Sequence, residues 1–258
     1  MKYFKSALAV LLLFTMLLNA SPVLGEATPT TEEAITISSY WHPRVQQWSS
    51  LIVSEAESRS LDPDFLASLI WMESRGRATV IGPVGAVGLM QVMPREAGFV
   101  WRPSREELLN PETNLFWGTR TLATVVSQGH GDIFNALAAY NGGWAQIQYH
   151  GPRVFATTIL RDYAQAVARR YNFPSRERWL AIFAVAAPNV RGPIWVADSA
   201  RDDVYFFGDK NWLPAGNPLI PESLPPTSWI AHCEEEDGTT YSVGVWFYSV
   251  SQDKWLTP

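Results

Sequence analysis

Cysteine is all but missing: Cys233 is the one thiol in 258 residues, which excludes an intramolecular disulfide framework and any multi-cysteine metal site. Histidine is scarce too. His42, His130, His150 and His232 lie far apart without ligand spacing, so no metal and no cofactor are expected. Charged residues make up only 17% of the chain, with 20 Lys and Arg against 25 Asp and Glu. The resulting net charge of −5 argues against nucleic acid or another polyanion as a partner. No apolar run reaches the about 20 residues that a membrane-spanning helix needs. What the chain has in quantity is apolar surface: 47% hydrophobic residues, with 12 Trp, 9 Tyr and 12 Phe. That load suits a globular core as well as stacking surfaces.

Residues 1–25 read as a secretory signal. Lys2 and Lys5 form a positive start, Ala7 to Leu18 an apolar run, and Val23-Leu24-Gly25 a cleavage site, with cleavage after Ala20 as the alternative. An uncleaved N-terminal anchor is the competing reading. The segment has no cysteine to carry a lipid. The processed chain is therefore expected outside the cytoplasm, secreted or in the cell envelope, not integral to the membrane, and monomeric. Residues 26–39, rich in Thr, Glu and Ser, read as a flexible lead-in.

Residues 40–172 carry helical punctuation. Val45, Trp48, Ile52 and Ala56 recur at helical spacing and predict one helix ending near Ser60. Asp62-Pro63 and Asn110-Pro111 each pair a capping side chain with a proline at the first helical position. Gly76 closes the first of these helices, and Gly129 follows the second. Asp132 caps a helix stopped by Gly142-Gly143, and Phe155, Ile159, Leu160, Tyr163 and Val167 predict a last long helix to about Tyr171. The fold class is mainly α. Over 173–258, prolines break any helix, and short β-type runs remain at Ile194–Ala197, Val204–Phe207, Trp229–His232 and Tyr241–Val250. Asp237-Gly238 is a hairpin turn between the last two. This predicts a small β-rich or irregular appendage that docks on the helices rather than standing alone, because a short proline-rich segment cannot build a full core.

Glu73 is out of place. It follows Ile70 by three residues, Leu69 by four and Leu66 by seven, and so projects from the apolar stripe of its helix. Desolvation there raises a carboxyl pKa, and the negative end of the helix dipole pushes the same way. A carboxylic acid held neutral near pH 7 is what a general acid for a glycosidic leaving group requires. The competing reading is a glutamate bonded at the helix end or paired with Arg75 or Arg77. Next comes a loop punctuated by Gly82, Gly85 and Gly88, running into Leu89-Met90-Gln91-Val92-Met93-Pro94. No Lys-Ser or Lys-Thr follows, which weakens a phosphate-cradling reading. Met90 and Gln91 either fill core or line a sugar groove.

Together, Glu73-Ser74 and Gly85-Ala86-Val87-Gly88-Leu89-Met90-Gln91-Val92-Met93-Pro94 resemble the signature of the soluble lytic transglycosylase catalytic domain. Asn114-Leu115-Phe116-Trp117-Gly118 is similar to that family's second motif, and Ala138-Ala139-Tyr140-Asn141-Gly142-Gly143 to its third. The resemblance implies a lysozyme-like helical catalytic domain that cleaves the β-1,4 bond between N-acetylmuramic acid and N-acetylglucosamine in peptidoglycan. Glu73 would be the acid and then the base, forming a 1,6-anhydromuramic product without a second carboxylate. Met90 and Gln91 would sit in the glycan groove, Tyr140 would support Glu73 or the substrate, Asn141 would shape its loop, and Asn114 would be structural. Two positions depart from the family pattern. Gly82 stands where the family usually has Ser, and Trp144 follows the third motif where a Gly-Pro-Gly turn is usual. Trp144 either stacks on a sugar, the reading favoured here, or packs its loop. The rival readings are a lysozyme- or chitinase-type hydrolase that uses water, and a non-catalytic wall-glycan-binding protein.

Overall fold

The computed structural model describes residues 35–174, 179–186, 191–198, 220–235 and 237–258. The secretory signal, most of the lead-in and the run Val204–Phe207 lie outside the described residues. At the end of the segment expected to be a flexible lead-in, Ile37 and Ser38 are instead buried, and the Ser38 amide donates to Asp64 Oδ1 across 2.7 Å.

The spacing of Val45 to Ala56 predicts one helix, but the structure makes two, α1 (Pro43–Gln46) and α2 (Ser49–Glu57). Trp48 leaves helical geometry between them (φ −100°, ψ 8°), and its indole N–H donates to the Gly76 carbonyl across 3.0 Å. The α3 helix (Pro63–Ser74) starts as the caps predict, with Asp62 Oδ1 accepting from the Asp64 amide. It ends on two left-handed residues, Arg75 (φ 55°) and Gly76 (φ 75°). A Cβ at Gly76 would stand 2.5 Å from the Arg44 carbonyl oxygen, so the position needs both the freedom and the smallness of glycine.

After a long loop comes α4 (Arg105–Leu108), fastened by a capping box between Ser104 and Glu107. The two cap-and-helix signals that follow are met in α5 (Pro111–Gln128), where Asn110 accepts from the Thr113 amide, and in α6 (Ile133–Gly142), where Asp132 accepts from Asn135. The last helix is α7 (His150–Arg170). Phe65, Leu66, Leu69 and Ile70 of α3 meet Ile159, Leu160 and Tyr163 of α7 in the core, all close to fully buried.

The C-terminal part is an antiparallel sheet of β1 (Trp179–Ala186), β2 (Arg191–Asp198), β3 (Ser228–Glu234), β4 (Thr240–Ser249) and β5 (Lys254–Leu256). The strand order is β2-β1-β4-β3, with β5 on β4. Three strands fall where the sequence signals place them. The β1 strand does not: Leu180-Ala181-Ile182-Phe183-Ala184 is apolar on both faces and shows no alternation. Its Phe183 face joins the helical core, while Leu180, Ile182 and Ala184 pack with Ile194, Val196 and Trp246 on the other side.

Helices and sheet share one core, and polar bonds seam them. The Asp62 amide donates to the Ile230 carbonyl (2.8 Å), and the His232 amide donates to that of Ser60 (2.9 Å). Asp62 Oδ2 accepts from Ser228 on β3 (2.8 Å) and from Tyr163 on α7 (3.1 Å). Arg170 bonds both Asp62 and Asp64, and these carboxylates outweigh its partial burial, holding the guanidinium above its ordinary value. The start of α3 is therefore gripped by α7 and by β3.

Candidate active site

Glu73 occupies the last turn of α3, partly buried beyond the fully buried Leu66, Leu69 and Ile70. Neither predicted arginine partner engages it. The Arg75 guanidinium lies over the Trp71 ring, 4.7 Å from its centroid, and Arg77 Nε donates to the Ser74 carbonyl across 3.2 Å. Among the described residues no hydrogen bond or ion pair holds the Glu73 carboxyl. Burial pushes it from the ordinary glutamate value of 4.5 up to about 8. At neutral pH the group is mostly a carboxylic acid with a proton to give.

The glycine loop that follows folds on itself. Val87 and Val92 exchange two backbone hydrogen bonds, each 2.9 Å long. Asn114 on α5 is buried beneath it: its Oδ1 accepts from the Met90 amide (2.9 Å), and its Nδ2 donates to the carbonyls of Val87 (2.8 Å) and Leu108 (2.9 Å). Gly88 sits at φ 79°, and a Cβ there would lie 2.2 Å from Asn114 Nδ2. This is the structural role expected of Asn114.

Met90 corrects one expectation. It does not line a groove with its side chain: the residue is fully buried, packed so closely on α5 that a Cβ at Gly118 would meet its side chain at 2.5 Å, and Thr119 Oγ1 donates to its sulfur. An unbranched thioether fills core space as readily as it lines a site, and packing decides which. Gln91 adopts a left-handed backbone (φ 49°), and its Nε2 donates to the carbonyls of Gly88 (3.0 Å) and Val80 (3.3 Å), clasping the loop. A Cβ at Gly82 would stand 2.4 Å from Gln91 Oε1, so the amide uses the space that a serine side chain there would take.

Tyr140, near the end of α6, reaches the same loop. Its hydroxyl donates to the Met90 carbonyl across 3.0 Å, and its ring stacks on Phe155. Burial drives its phenol well above the ordinary value, Glu73 adds to that, and Arg102 opposes it. The structure thus brings Glu73, Tyr140 and the Met90-Gln91 turn together. Asn141 is exposed, and Trp144 is half-exposed with its indole N–H on Gln128 Oε1 (2.8 Å). No hydrogen bond joins either of them to Glu73 among the described residues.

Arg102 escaped the sequence reading. Its NH1 donates to the Met93 carbonyl (3.3 Å), and its guanidinium lies 4.5 Å and 4.8 Å from the ring centres of Phe99 and Trp101. Burial pulls it below the ordinary arginine value, against the pull of Tyr140. The only trace in the sequence is the run Phe99-Val100-Trp101-Arg102 inside a loop.

Residues 50–159 match the family described as the Transglycosylase SLT domain. The match covers less than half of the chain, and all the predicted site residues from Glu73 to Trp144 fall within it. Over 147 residues the chain is 35% identical to the endo-type membrane-bound lytic murein transglycosylase A of Citrobacter koseri, covering 54% of this chain and 64% of that protein. It is 29% identical to the membrane-bound lytic murein transglycosylase E of Buchnera aphidicola, covering 44% and 53%. It is 32% identical to the transglycosylase of Enterobacteria phage PRD1, covering 40% and 37%. The matches therefore span less than two thirds of these relatives' own length. A solved lytic transglycosylase Slt from Pseudomonas aeruginosa, an inactive mutant, superposes with a TM-score of 0.41 at 25% identity, over 48% of this chain and 24% of that one. Among the described residues no helix is long and apolar enough to cross a membrane.

Proposed function

We propose that this protein is a lytic transglycosylase acting on peptidoglycan outside the cytoplasm, with Glu73 as its single acid and base. The observation that carries the reading is the state of Glu73: partly buried, without a hydrogen bond or ion pair among the described residues, and raised to about 8 by burial with no second carboxylate as a cause. Glycosidases of the two-carboxylate kind place a second acid near the first.

Glu73 gives its proton to the oxygen bridging N-acetylmuramic acid and N-acetylglucosamine. The bond from that oxygen to the muramic anomeric carbon breaks, and the muramic acetamido group stabilises the oxocarbenium-like centre. The Glu73 carboxylate then takes the proton of the same sugar's 6-hydroxyl, whose oxygen bonds to the anomeric carbon and closes the 1,6-anhydro ring. Holding that hydroxyl beside the centre makes the attack intramolecular. Tyr140 fixes the loop beside Glu73 through the Met90 carbonyl. Gln91 keeps the loop closed, Asn141 shapes the turn after α6, and Trp144 offers an aromatic wall to a sugar.

The test is the clearing of a suspension of purified peptidoglycan. The wild-type chain should clear it, and Glu73→Gln, which keeps shape but has no transferable proton, should be slower by at least ~10². Near wild-type clearing by the variant, or none by the wild type, would refute the proposal.

A further inference from the structure

The loop before α4 exposes aromatic surface that the chemistry at Glu73 does not use. Trp101 is 61% exposed, Phe116 41% and Phe99 37%. They form one chain of rings: Phe99 to Trp101 at 6.3 Å, Trp101 to Trp117 at 5.8 Å, and Trp117 to Phe116 at 5.8 Å. Trp117 packs on the core, whereas Phe99, Trp101 and Phe116 leave apolar surface facing water. They are also held still. The Arg102 guanidinium lies against both Phe99 and Trp101 and is tied to the Met93 carbonyl, so little freedom is left to lose when a ligand arrives.

The same arginine fixes where this surface lies. Arg102 holds the Met93 carbonyl (3.3 Å) and Tyr140 the Met90 carbonyl (3.0 Å), so both grip the one turn that follows the helix of Glu73. The rings are thereby anchored to the same loop as Tyr140, the loop beside the candidate acid. A pyranose ring presents an apolar C–H face and a polar rim of hydroxyl and acetamido groups. Aromatic faces match the first, through the negative charge of their π-clouds, and a guanidinium edge matches the second.

We propose that Phe99 and Trp101, with Trp117 and Phe116 of α5, form a further glycan subsite that stacks on another N-acetylated sugar of the strand cleaved at Glu73. The occupant is a β-1,4-linked amino-sugar strand, and the inference rests on the glycan substrate proposed above.

The experiment measures, by calorimetry, binding of a soluble oligomer of β-1,4-linked N-acetylglucosamine to the full chain carrying Glu73→Gln. Adding Trp101→Ala or Phe99→Ala should weaken binding about tenfold, equivalent to about 1.4 kcal/mol. Val100→Ala, in the same loop at 83% exposure, should leave it unchanged. Thermal midpoints should stay together across the set. Unchanged affinity in the Trp101 variant overturns the subsite. So does a variant that turns a dimer into a monomer in sedimentation without touching sugar affinity, which would make the patch an interface between copies. If the wild type leaves peptidoglycan intact while sugar binding still depends on Trp101, the cleavage reading fails and the subsite stands.

Discussion

The Tyr140 hydroxyl donates to the Met90 carbonyl across 3.0 Å, pinning the last turns of α6 to the loop that follows the helix of Glu73. Tyr140→Phe keeps the ring on Phe155 but leaves that carbonyl without its donor, a loss on the order of 1–3 kcal/mol. Turnover should fall while the protein stays folded, with a modest drop in thermal midpoint. Loss of activity accompanied by loss of the cooperative melt would make Tyr140 structural only.

Asn114 should be costlier to change. It satisfies the Met90 amide and the carbonyls of Val87 and Leu108 from a buried position. Asn114→Ala strands the Met90 amide and the Leu108 carbonyl, leaves the Val87 carbonyl only its bond from the Val92 amide, and opens a void, which should destabilise the protein by about 3 kcal/mol. Denaturant titration reads the change. A loss under about 0.5 kcal/mol, the range of ordinary surface changes, would show that the loop does not hang on this side chain.

Glu73 should make stability pH-dependent in a direction opposite to that of an ion-paired acid. Its carboxyl sits near 8 in the folded chain against an ordinary 4.5. Between those values the folded state keeps a proton that the unfolded state releases, so stability falls as pH rises from 4.5 through 8. Glu73→Gln removes that loss. Its thermal midpoint should exceed the wild type's by a margin that grows from pH 4.5 to pH 9. A constant margin would contradict the burial of the carboxyl.

At the other end of α3, Asp62 bonds Arg170, Tyr163 and Ser228 at once. Asp62→Ala should cost about 3–5 kcal/mol, because it leaves a partly buried guanidinium short of a partner. Cutting the chain after residue 172 removes Ser228 and Ile230 and bares the core face of the helices. That fragment should be insoluble or far less stable than the full chain, and an equally stable fragment would contradict the shared core.

Much of this was readable from the chain because local chemistry carried it. Asp62-Pro63, Asn110-Pro111 and Asp132 place helix starts through side-chain caps, and the position of Glu73 relative to Leu66, Leu69 and Ile70 needs only the helical repeat. What escaped depends on partners distant in sequence. The break at Trp48 comes with an indole bond to Gly76, 28 residues on. The β1 strand is covered on both faces, which erases the alternation that marks a strand. Met90 reads the same in a groove or a core until Gly118 is packed against it. Arg102 gains meaning only when its loop meets Met93 and Tyr140.

The central claim is that Glu73 closes a ring on the muramic sugar instead of delivering water. Mass analysis of the soluble products from purified, uncrosslinked peptidoglycan strands tests it most directly. The account predicts fragments ending in 1,6-anhydromuramic acid, each lighter by one water than the hydrolysed counterpart, and their disappearance with Glu73→Gln. Fragments with a free reducing muramic end, produced by the wild type from the earliest time points, would contradict it.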